Sequence, residues 1–305
     1  MIPYLEFTQK SLLHFEQLYP NAYVQIHQIC KNNDQLLDSL SIFEGDSMAA
    51  PNLYLNHFYE IYLDTSDLEG TFSLMENFYR SHLKDIPSKE VVFPDFEQVK
   101  GNLGCRLLSL KKNRRLLKDL PFLPFLDLAL VYFYTIPQFS GMHACVLITQ
   151  EHLKAWDVDP NTLQECAMRS APFLYPAKLM PLADLLFDLM GPEQQMSPVN
   201  EPLAYPLYVL TNQEKLYGAS AMLYPDVLHD LSDKLSSDLY IIPSSIHEVI
   251  LLPASEFDQA DVLNSLIQEV NTQHLEAEDV LSDHYYYYSR KAKRILPKLP
   301  AANLS

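Results

Sequence analysis

The sequence predicts an α+β fold in which an N-terminal helical segment precedes a mixed sheet built from repeated β-β-α modules. Three observations carry that expectation. Apolar residues recur at helical spacing through the first ninety positions, the run LDLALVYFYTI is apolar and β-branched almost throughout, and the order strand, turn, strand, helix then occurs three times.

In the opening segment, Leu5, Leu12, Phe15 and Leu18 or Tyr19 keep helical spacing, as do Phe72, Met75, Tyr79 and Leu83 further on. Between them, Pro51 suits a first helical turn and Tyr54, Phe58 and Ile61 follow at intervals of four and three. Three helices are expected. Leu126 to Ile136 reads as the central strand, buried on both faces. A turn at Gly141 and the partner strand HACVLIT lead to a helix capped by Thr149 and carrying Leu153 and Trp156. The second module is PLYVLT, a turn at Asn212 to Lys215, the strand LYGASAMLY, and a helix with Leu228, Leu231 and Leu235 on one face. The third is DLYII, a turn at Pro243 to Ser245, IHEVILL, and a helix with Val262, Leu263, Leu266, Ile267 and Val270, opened by Ser255-x-x-Asp258 in the manner of a capping box. The run Tyr285 to Tyr288, if extended, places two rings on each face and is expected at a sheet edge.

The 305 residues, 48% apolar and 20% charged, suffice for a large core without disulfides or metal. Residues 1–90 are expected as the helical segment, 91–190 as a first α/β part holding the central strand, and 207–305 as a second with two modules. The proline-rich stretch at 191–206 reads equally as a domain boundary or a long surface loop. The start MIPYLEFTQK carries no signal-like pattern, and the longest apolar run is about half the ~18 residues a membrane helix needs. Cys30, Cys105, Cys145 and Cys166 show no C-x-x-C spacing, so reduced thiols and no disulfide-linked partner are expected.

The blocks PNLYLNHFYEIYL, FPDFEQVKGNLGCRLLS, FLDLALVYFY, LITQEHLKAWDV, YVLTNQEKLYGASAMLYPDVL and LYIIPSSIHEVILLP resemble, in order, those of the bacterial family called domain of unknown function 5688. The resemblance implies a cytoplasmic protein. It implies no activity, substrate or catalytic residue.

No G-x-G-x-x-G, G-x-x-x-x-G-K-[ST], H-E-x-x-H or G-x-S-x-G occurs, so no catalytic residue, cofactor or metal ligand is assigned. The densest local chemistry is PSSIHE, where Ser244, Ser245, His247 and Glu248 fall within five positions. If a strand starts at Ile246, His247 and Glu248 point to opposite faces, which suits a hairpin better than a triad.

Charge is the least ordinary feature. The formal net charge of −17 argues against nonspecific binding to nucleic acid or anionic membrane by the chain as a whole. Yet residues 100–118 carry Lys100, Arg106, Lys111, Lys112, Arg114, Arg115 and Lys118 without an acid, and 290–298 carry Arg290, Lys291, Lys293, Arg294 and Lys298 likewise. The expectation is therefore a non-catalytic binding or regulatory module, with Arg106, Lys111, Lys112, Arg114, Arg115, Lys118, Arg290, Lys291, Lys293 and Arg294 as candidate contacts to an acidic protein or anionic ligand at one basic patch. The alternatives are a hydrolase-type site at the 243–248 hairpin and engagement of a nucleic acid or other anion through the two basic segments.

Overall fold

A computed structural model describes residues 1–45, 50–83, 94–135, 145–189 and 205–297. The chain is α+β and separates into two units, residues 1–95 with 136–144, and 96–135 with 145–305.

In the first unit, α1 (Tyr4–Leu18) leads into the hairpin β1 (Tyr23–Cys30) and β2 (Leu36–Phe43), then β3 (Leu53–Tyr54), α2 (Leu55–Thr65) and α3 (Leu68–His82). The three expected helices are present, but the helical reading omitted the hairpin. Its register runs from Tyr23↔Phe43 to Cys30↔Leu36, and β3 extends the sheet on the far side of β2. Asn33 and Asp34 turn the chain with φ of 57° and 53°, the left-handed region that Asn and Asp enter more readily than other side chains. Phe7, Phe15, Leu40, Ile42, Leu53, Met75 and Tyr79 form the core of this unit. Asp67 caps α3 by accepting from the Gly70 N–H.

The second unit opens with α4 (Phe96–Val99), followed by β4 (Leu103–Ser109), β5 (Phe122–Phe125), β6 (Leu128–Thr135) and β7 (Cys145–Leu147). β6 is the central strand. It pairs with β4 along one side and with β5 and β7 on the other, and Leu128 to Tyr134 are all buried. After it come α5 (Gln150–Trp156), α6 (Pro160–Leu174), β8 (Ala177–Pro181) and α7 (Leu182–Leu189). Thr149 caps α5 as expected, in a reciprocal box with His152. The turn at Gly141 and the 191–206 connector fall largely or wholly outside the described residues.

β9 (Tyr208–Asn212), α8 (Val227–Leu235), β10 (Leu239–Pro243), β11 (Val249–Pro253), α9 (Ala260–Gln273), β12 (Tyr286–Ser289) and β13 (Arg294–Pro297) complete the unit. The six strands lie in the order β13-β12-β10-β11-β9-β8. Each described pairing in the protein is antiparallel, so the mixed sheet expected from the repeats is instead a set of separate antiparallel sheets, joined by turns or by connections that return each strand beside an opposed neighbour.

Four local features of the second unit differ from the sequence expectation. LYGASAMLY is not a strand: Tyr217 has φ 54°, and residues Gly218–Leu223 form a 3₁₀ turn. Gly218 fits there because a Cβ would collide with the Thr211 hydroxyl, the His247 carbonyl and the Asn212 nitrogen. β11 starts at Val249, so His247 and Glu248 precede the strand. α9 starts after Gln259 with no side-chain cap, and it buries Leu263 and Ile267 while Val262 and Leu266 stay exposed. The tyrosine run is interior: β12 lies between β10 and β13. Tyr286 and Tyr288 enter the core shared by both sheets of this unit, whereas Tyr285 and Tyr287 join Leu263 and Ile267 on the α9 side. Among the described residues no helix is long and apolar enough to cross a membrane, and none of the four cysteines is in a disulfide.

Candidate ligand-binding site

Nine polar or charged residues surround a cavity of about 620 Å³ in the second unit. Three stretches build it. β4 ends at Ser109, where the Asn113 side chain and N–H both bond to the Ser109 carbonyl, which holds the turn carrying Lys111 and Lys112. The β5–β6 turn supplies Asp127, whose carbonyl accepts from the Leu110 N–H. Ser282, Asp283 and His284 approach from the segment before β12, and α9 adds Asn264 and Gln268.

Each acid in the cavity already has donors. The Tyr286 hydroxyl donates to Asp127 Oδ1 at 2.8 Å, and His284 Nε2 lies 3.5 Å from the same oxygen. Burial alone would raise the Asp127 pKa, but the hydrogen bonds of His284 and Tyr286 outweigh it and hold the carboxyl below its ordinary value. Asp283 shows the same contest. Burial opposes its charge, and Lys112 at 2.9 Å with Asn271 at 3.1 Å more than compensates. Tyr286 is shifted upward, first by burial and then by the Asp127 charge.

Ser282, His284 and Asp127 have the composition of a hydrolytic triad without its geometry. Ser282 Oγ lies 3.4 Å from both His284 Nδ1 and Asp127 Oδ2, so the three groups close a triangle rather than a line. A nucleophile needs its base at roughly 2.6–3.2 Å. Ser282 is also only 2% exposed.

The candidate basic residues do not share one setting. Lys111 and Lys112 line this cavity. Arg114, Arg115 and Lys118 are exposed beside the short turn Leu116–Lys118. Arg290 lies 2.6 Å from Asp233 and, with Lys291 and Lys293, borders a second cavity of about 530 Å³ that has no lining residue in common with the first. Arg294, with Lys293, reaches a third of about 350 Å³. Arg106 points the other way, into the interior, with its guanidinium 4.8 Å above the Tyr217 ring. Lys298 lies outside the described residues.

At the 243–248 hairpin, His247 Nδ1 accepts from the Tyr217 N–H at 3.2 Å, its Nε2 is 3.5 Å from Asp279, and its ring stacks on Tyr217. Ser245 Oγ accepts from the His247 N–H, and Ser244 Oγ donates to Glu248. Among the described contacts neither serine meets the imidazole, and among the described residues no three His, Cys, Asp or Glu are placed to hold a metal.

Sequence reasoning found Lys111 and Lys112 and missed Asp127, Asn264, Gln268, Ser282, Asp283 and His284. Asp127 did leave a signal, since an acid interrupts the apolar run at the turn into β6. Comparison with curated proteins and with solved structures finds no match. The model of one family, described as a family of unknown function (DUF5688), matches residues 4–290, and the chain therefore belongs to that family.

Proposed function

We propose that this chain is a non-catalytic binding protein and that the cavity beside β4 and α9 takes a small polar ligand bearing an anionic group. The observation that carries the reading is the state of the lining groups. Asp127 and Asp283 are both held ionised by neighbouring donors, while Lys111 stands exposed, its charge felt by Asp283 but in no ion-pair contact with a described residue. An acid held below its ordinary range is a poor proton donor near neutral pH, and Ser282 is buried with its nearest imidazole nitrogen, His284 Nδ1, at 3.4 Å. These features favour recognition over turnover. The volume of about 620 Å³ lies within the range of roughly 300–1,000 Å³ usual for small-molecule sites. Asn264 spends its carbonyl on the Tyr285 N–H at 3.1 Å, so its amide nitrogen is the donor left for a ligand hydroxyl or carbonyl. A concave site of this kind suits a small molecule better than an acidic protein.

The test is isothermal titration of the full chain with glucose 6-phosphate and with gluconate. Binding of either should weaken about tenfold in Lys111→Ala, the equivalent of one charge-assisted contact, and further in the double variant with Lys112→Ala. Absence of binding by both, or binding indifferent to the lysines, overturns the proposal. A turnover assay abolished by Ser282→Ala or His284→Ala in a folded protein would replace it with an enzyme.

A further inference from the structure

Among the described residues, Arg106 is a buried cation whose hydrogen bonding is incomplete. It lies on β4 with 8% of its surface exposed, its Nε is buried without a hydrogen-bond partner, and its guanidinium forms no ion pair with a described residue. Its neighbours in sequence define which face it occupies. Cys105 and Leu107 enter the core between the two sheets, whereas Leu108 joins Leu117, Leu120, Ala129 and Val131 on the opposite face. Arg106 shares the Leu108 face by strand alternation, so it stands apart from the cavity that contains Ser109. Opposite it in register is Val131, its guanidinium lies over the Tyr217 ring, and Phe133 meets that ring edge-on at 5.4 Å.

A buried cation needs compensation. Removing a guanidinium from water is costly, and an unpaired buried charge is among the most destabilising features a fold can carry. Stacking on Tyr217 recovers only part of that cost. The same charge acts on the thiol of Cys145, which burial pushes up to about 11 and Arg106 draws back down. Cys145 pairs in register with Thr135, which by alternation shares the Val131 and Phe133 face of β6, the face that Arg106 occupies.

We propose that Arg106 anchors a second anion site, independent of the cavity described above, whose ligand is a carboxylate on an apolar or aromatic body. The fork of a guanidinium matches the two oxygens of a carboxylate. Its surroundings, Tyr217, Phe133, Val131 and Leu108, suit an apolar body and offer little to a strongly hydrated phosphate.

The experiment is thermal melting and titration calorimetry of the full chain with benzoate and with inorganic phosphate, at matched ionic strength. Benzoate should raise the melting temperature saturably. Arg106→Met should remove that response, and Arg106→Lys, which keeps the charge but loses the fork, should bind benzoate at least about tenfold more weakly. Lys111→Ala with Lys112→Ala should respond like the wild type, which separates this site from the first. Should Arg106→Met fail to fold, Arg106→Lys decides the matter alone. An unchanged benzoate response in the arginine variants, no response in the wild type, or a response to phosphate only would each overturn the assignment.

Discussion

Tyr286→Phe removes a single oxygen from a fully buried ring and leaves the packing of β12 in place. That oxygen donates 2.8 Å to Asp127 Oδ1. A hydrogen bond to an ionised group contributes roughly 1.5–3 kcal/mol net. The Asp127 side chain is 40% exposed, so water takes over part of the lost bond and the expected destabilisation is about 1–2 kcal/mol at pH 7. The loss should depend on pH. Asp127 has its pKa depressed in the fold, so its contribution is complete above the ordinary carboxylate value of about 3.9 and disappears as pH falls through the folded value. Urea denaturation of both proteins at pH 7 and across the acid range measures this directly. The stability gap should narrow below about pH 4, where protonation removes the anion that the phenol serves. A gap of the same size at pH 7 and pH 2.5 would show that the substitution acts through packing, and no gap at all would show that water replaces the bond completely.

Leu130 lies in β6 between Leu107 of β4 and Leu123 of β5, at 1% exposure, so Leu130→Asp should cost more than about 4 kcal/mol and prevent soluble folding. Thermal melting near the wild-type temperature would show that β6 does not carry the core. Gly218→Ala should lose about 1–3 kcal/mol, because two of the three atoms its Cβ meets are backbone and cannot swing aside. Denaturation midpoints check it, and an unchanged midpoint would mean that the turn relaxes freely.

How far the sequence could be read depended on whether a signal was local. β6 was legible because a continuous apolar run is the mark of a strand buried on both faces, and Thr149 was legible because a cap acts within three residues. β1 and β2 were missed although Val24-x-Ile26 and Leu40-x-Ile42 alternate, since the interleaved residues resemble a helical face as easily as a strand face. β4 was missed because glycine and arginine interrupt it. Gly104 is explained only by the Phe133 and Tyr175 rings that rest against it, one from another strand and one from beyond α6. The 3₁₀ turn at 218–223 has the composition of a strand, and only its contacts with Thr211 and His247 exclude one. The binding cavity had no local signature, because residues 109–112, 127, 264–268 and 282–284 meet only after the sheets form.

The order of the six-stranded sheet also bears on how the chain survives at high concentration. Among the described residues its outermost strands are β8 and β13, and each ends in a proline, Pro181 and Pro297, that has no N–H to offer an incoming strand. β13 begins with the exposed Arg294, a charge that a docking strand would have to desolvate. The tyrosines, whose β-propensity would make them the most adhesive segment of the chain, occupy the interior strand β12, already paired on both sides. A strand order that moved β12 to the rim would leave the same sequence prone to fibrillar stacking, so β13, by covering β12, works against self-association.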